Sequence, residues 1–276
     1  MVPSWTPEPP LEEPAVVAPE GQDQEAPAEP AASPVSVAPV APAQVPAPIP
    51  IAPSGRFRGT RLALGDFART GDRGDLRRGI GHYVRTGYGG SGTTTRRFGG
   101  AATTAGALGR ALAGVAAGQR PTAENPLDPR LLEGRTASEV MDAIVEAVRP
   151  VDGTQDAEAE RAAIRDALSE LLTRFPDADL LNLDPDQRAF AIEHFTAIDV
   201  FRRFDLDVGR SILENAPNAA AGLARLKEVK DYVQQTVAAS FRRLHAAGRT
   251  LTGGRISQVV RSALRETFEV FEGYTE

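Results

Sequence analysis

From Ser54 onward the apolar positions recur three or four residues apart, which predicts one helix after another. In GDRGDLRRGIGHYVRTG, Leu76, Ile80, Tyr83 and Val84 share a helical face, and Asp72 stands where an N-cap belongs. TTTRRFGGAATTAGALGRALAGVAAG predicts a helix of small residues with Phe98, Ala102, Ala105, Leu108 and Leu112 along one side, suited to close helix contact. Thr136 and Glu139 form a capping box that opens SEVMDAIVEAVR, and Pro150 ends that helix. In TQDAEAERAAIRDALSELLTRF, Ala163, Ala167, Leu168, Leu171 and Leu172 line one face. DPDQ at 184–187 starts a helix carrying Phe195, Ile198, Phe201, Phe204, Val208 and Ile212, and NAPN at 215–218 breaks it. Leu223, Leu226, Val229, Val233, Val237 and Phe241 mark a long helix that ends near Gly248. LTGG turns the chain into a final helix, RISQVVRSALRETFEVF. No segment alternates with period two, so the expected fold is an all-α helical bundle with antiparallel neighbours.

The first 53 residues break this pattern. Fifteen of the 22 prolines lie before Ser54, as in APVAPAQVPAPIPIAP. Proline blocks helix and removes backbone donors, and the apolar volume is too small for a core, so a disordered, partly polyproline-II tail is expected. Trp5, the only tryptophan, is a candidate tail anchor for a partner. The expected organisation is a tail over 1–53 and an all-α domain over 54–276. That domain divides into an Arg/Gly-rich helical part, 54–118, and a bundle part, 127–276.

Charge separates the same regions. The tail holds seven acidic residues and no Lys or Arg, whereas Arg56 to Arg97 carries ten arginines against Asp66, Asp72 and Asp75. The formal net charge of −6 hides this opposition. With no cysteine, disulfides, thiolate metal sites and thiol nucleophiles are excluded. No apolar run approaches the ~18 residues of a membrane span. No basic region followed by an apolar core opens the chain, and a cytoplasmic protein is expected.

The candidate chemistry centres on GIGHYVRTGYGGSGTTTRRFGG at 79–100. Gly87, Gly89 and Gly92 match G-x-G-x-x-G, but the preceding HYVRT belongs to a helix, where a dinucleotide site needs a strand. Thr93 and Thr94 stand where a P-loop needs Lys and Ser/Thr. The glycines therefore read as a corner between two helices. Arg85, Arg96 and Arg97 flank the corner, and arginines beside a helix start can receive an anion. The candidate partner- or anion-binding set is Arg77, Arg78, Arg85, Tyr88, Gly89, Gly90, Arg96 and Arg97. His82, His194 and His245 have no metal-ligand spacing, and the acids at 152–160 lack a calcium-loop pattern. No catalytic residue, metal or cofactor is expected.

VPSW at 2–5, PSGRFRGTRLALGDFARTGDRGDLRRGIGHYVRTGYGGSGTTTRRFGGAATTAGAL at 53–108 and VDGTQDAEAERAAIRDALSELL at 151–172 resemble the QatB family of the four-gene Qat anti-phage defence system. The resemblance is densest at 53–108. It implies a non-enzymatic defence subunit. The implied partner is a QueC-like (QatC-type) enzyme resembling the one that forms 7-deazaguanine nitrile. The system's ATPase and TatD-type nuclease are further implied partners. The resemblance also implies that the N-terminal tail is a modification substrate of the QueC-like enzyme. The family pattern has a short Met-Gly-rich stretch before VPSW, whereas here Met1 alone precedes Val2. The alternative, from the residues themselves, is a nucleic-acid-binding helical module using the arginines of 56–97.

Overall fold

The computed structural model describes residues 55–275. The expected tail and its Trp5 anchor lie outside the described residues. Within them the chain forms eleven α-helices and no strand. They are α1 (Arg58–Thr70), α2 (Arg73–His82), α3 (Ser91–Arg97), α4 (Gly99–Ala116), α5 (Pro129–Leu132), α6 (Ala137–Val148), α7 (Gln155–Arg174), α8 (Pro185–Phe204), α9 (Arg210–Asn215), α10 (Ala219–Ala246) and α11 (Ile256–Glu272). Wide π-helical turns, Tyr83–Gly87 and Asp205–Gly209, extend α2 and join α8 to α9.

Local chemistry sets the helix starts. Asp72 accepts from the backbone N–H groups of Gly74 (2.6 Å) and Asp75 (3.1 Å). Glu139 N–H donates to Thr136 Oγ1 (3.3 Å) while Thr136 N–H donates to Glu139 Oε2 (2.8 Å), which closes the capping box. Asp184 and Gln187 do the same around Pro185. Each such cap stabilises its helix by about 1 kcal/mol, because first-turn N–H groups otherwise lack an intrahelical partner.

α8 is the axis of the bundle. Ala191, Ile192 and the run Phe195–Val200 are all buried, so this helix is covered nearly all round. α7, α10 and α4 pack on it. α4 in turn lies between α8 and α11, and its small residues allow that. A Cβ on Gly109 would sit 2.4 Å from Ile256 of α11 and 3.2 Å from Ile192 of α8. α1 pairs with α2 and α9. One continuous core joins them, with Phe67, Phe98, Phe195, Phe241 and Phe268 fully buried.

Two expectations need correction. The helix expected to run through TTTRRFGGAATT is two helices, broken where Phe98 turns inward to full burial. Leu223, placed on the core face of the long helix, is 64% exposed. It lies in the first turns of α10, where the neighbour is the short α9 and only Gly222 is buried; buried side chains recur along the helix from Val229 onward.

Candidate functional site

The glycine corner is a packed junction. The π-helical turn Tyr83–Gly87 closes with Tyr88 N–H donating to Tyr83 O (3.1 Å) and Gly90 N–H donating to Val84 O (2.9 Å). Gly89 and Gly90 have φ of 83° and 98°, and Gly90, with ψ 164°, occupies a region essentially restricted to glycine. The start of α3 already holds an anion from within the protein. Ser91 N–H donates to Glu272 Oε2 (2.9 Å) at the end of α11. Those hydrogen bonds from Ser91 hold the Glu272 carboxyl below its usual range.

Behind the corner the two π-helical turns meet through one carboxylate. Asp207 Oδ2 accepts from Tyr83 Oη (2.9 Å) and from Tyr88 Oη (2.7 Å). Arg56 lies 3.7 Å from the other oxygen. The Arg56 guanidinium also covers the rings of Phe57 (4.4 Å) and Tyr88 (5.2 Å). Phe57 stacks on Tyr83 (5.4 Å between centroids), Tyr88 meets Phe98 edge-on (5.9 Å), and Phe98 reaches Phe268 (4.9 Å). Burial pushes the Tyr83 phenol well up, and the Tyr88 phenol, half-buried and donating to Asp207, to about 12. Both therefore stay protonated as donors to the carboxylate. π-Helical turns are rare, and two in direct contact fix the orientation of the residues they carry.

A second charged cluster lies beneath. Asp199 on α8 is fully buried, with no hydrogen-bond partner on either carboxylate oxygen among the described residues. Burial raises it to about 7, against the pull of Arg203 and with help from Glu160 and Asp156. Glu160 accepts from Thr104 Oγ1 (2.8 Å) and has Arg149 Nε at 2.8 Å. Arg203 faces Asp156 at 3.3 Å, covers the Phe98 ring at 4.8 Å and donates to Arg97 O (3.3 Å). No group of three metal-ligating side chains forms among the described residues.

The candidate arginines are distributed over different faces. Arg77 lies 6.0 Å from the Tyr274 ring centroid, and Arg85 donates to Thr275 Oγ1 (3.2 Å), so these two flank the C-terminal turn. Arg78 pairs with Asp75. Tyr88, Gly89 and Gly90 belong to the packed corner. Arg96 donates to Thr93 Oγ1 (2.9 Å) and lines a hollow against α11, together with Gly92, Thr95, Gln258, Arg261, Ser262 and Arg265. The side chain of Arg97 is exposed and forms no ion pair among the described residues. Sequence reasoning missed Asp207, Asp199 and the α11 arginines. The last carried a legible signal: residues 232–265 contain six arginines and no acid. The two aspartates carried none, because their partners lie far away in sequence.

A family model described as Qat anti-phage system associated protein QatB matches residues 89–271, about two thirds of the chain. The chain belongs to the QatB family. The expected membership in the Qat anti-phage system is thereby borne out. No curated protein and no solved structure matches the chain. The matched span begins inside the glycine corner and contains Phe98, Asp207 and Phe268. Arg56, Phe57, Tyr83 and Tyr88 precede it, and the Asp207 carboxylate ties them to the QatB body.

Proposed function

We propose that this QatB-family chain is a non-catalytic subunit of its Qat system. Its helical body docks on the QueC-like (QatC-type) enzyme, and its Pro/Ala/Glu-rich N-terminal segment is presented to that enzyme for modification. The observation that supports presentation is the clamp where the body begins. Arg56 and Phe57 follow the segment directly, and both are fixed against Asp207, Tyr83 and Tyr88. Fifty-three residues are enough chain to reach from that fixed point to a site remote from the docking face. Docking is supported by apolar side chains left in solvent. Leu213 and Leu223 are 44% and 64% exposed at the α9–α10 corner, and a Cβ on Gly222 between them would touch Leu213.

The test is co-expression with the QueC-like enzyme, capture of that enzyme, and recovery of this chain across a salt series. A 1:1-type co-elution that survives high salt, and that Leu213→Asp with Leu223→Asp weakens, is the expected result. Recovery that never exceeds the background of an unrelated bait overturns the docking reading.

A further inference from the structure

The hollow that contains Arg96 continues along α11 into a second one. Gln258 and Ser262 line both, and the second adds Gly248, Arg249, Thr250, Arg255 and Val259. Their volumes are about 460 and 380 Å³, respectively. Arg255, Gln258, Arg261 and Arg265 fall three or four residues apart, on one exposed stripe of α11 about 15 Å long. Arg249 donates to Ser262 Oγ (3.2 Å), across the groove floor. Of the five arginines lining the groove, only Arg265 has an ion-pair partner among the described residues, Glu269 at 2.9 Å. No acidic side chain lines either hollow. Four guanidinium groups without an ion-pair partner among the described residues, gathered around one groove beside hydroxyl and amide donors, concentrate positive potential.

We infer that this groove binds the phosphate backbone of duplex nucleic acid, without reading its sequence. Three features choose that ligand. The donors are planar guanidiniums with Ser262, Thr95, Thr250 and Gln258, a set that matches phosphate oxygens. No aromatic side chain lines the groove, and single strands bind by stacking bases on aromatic rings. Val259 is the only large apolar side chain lining it, so the anchor pockets that hold a peptide are missing. The surface is separate from the leucine corner, so nucleic-acid binding does not depend on the docking proposal.

The experiment is fluorescence anisotropy of a labelled DNA duplex with the purified full chain, over a salt series. Four phosphate contacts predict that log K falls against log salt with a slope of about −3 to −4. Arg255→Glu with Arg261→Glu, both at exposed positions, is expected to reduce affinity at least about tenfold and flatten the slope by about 2. Circular dichroism and a melting curve establish that this variant stays folded. Arg130→Glu with Arg174→Glu, at exposed positions on α5 and α7 that line neither hollow, is expected to leave binding unchanged. Any of three results overturns the inference: no salt-dependent binding, equal loss from the Arg130/Arg174 variant, or duplex displaced at equal concentration by an acidic peptide of residues 1–53.

Discussion

Asp199 is a carboxyl that folding works against. Its usual pKa is near 3.9, and burial raises it to about 7 in the folded chain. The folded state therefore holds a proton that the unfolded state has released between those values. Its stabilising contribution is complete below about pH 4 and is lost as pH rises through 7. Glu193, raised by burial to about 7, adds to the same slope. Asp199→Asn keeps the shape and removes the titration. Urea unfolding at pH 5 and pH 8 should show the native chain weaker at pH 8, and the variant with a smaller difference, by on the order of a few kcal/mol. An unchanged pH difference would remove Asp199 from the account. Asp207 is a carboxylate with two hydrogen-bond donors, Tyr83 and Tyr88. Asp207→Ala strands the buried Tyr83 hydroxyl and should cost about 1–3 kcal/mol in the same assay. In that background Tyr88→Phe should cost much less than it does alone, because its acceptor has already gone.

At the scale of elements, the periodicities of 3.6 made the helices legible, and capping chemistry made their starts legible. Asp72, Thr136 and Asp184 each cap the helix their sequence pattern announces. The junctions were less legible, because tertiary packing decides them. Phe98 ends α3 by turning into the aromatic cluster, and the π-helical turns exist where Asp207 must face Tyr83 and Tyr88. Leu223 fits the apolar spacing of α10 but is left exposed, a fact the spacing does not contain. α4 offers the sharpest test of element packing. Gly109→Val would push side-chain atoms into Ile256 and Ile192, and should lower stability by about 1–3 kcal/mol while leaving helix content intact. A neutral effect, read by thermal melting, would mean that α4 and α11 do not approach as closely as described.

On the scale of the whole molecule, charge is sorted rather than scattered. Along the sequence, residues 1–53 hold seven acids and no Lys or Arg, whereas residues 232–265 hold six arginines and no acid. The sequence pattern pointed to the arginines of 56–97, yet the fold sends Arg77 and Arg85 to the C-terminal turn and Arg96 to the α11 groove. Family membership was legible in the residues around the corner, and the matched span of 89–271 carries it. The proposed role of this QatB-family chain is to offer its N-terminal segment to a QueC-like enzyme. The most direct measurement is the intact mass of the chain after co-expression with that enzyme, followed by fragment masses that locate any addition. Added mass within residues 1–53, present only with the active enzyme, is the expected result. An unchanged mass in a chain that co-purifies with the enzyme would contradict it.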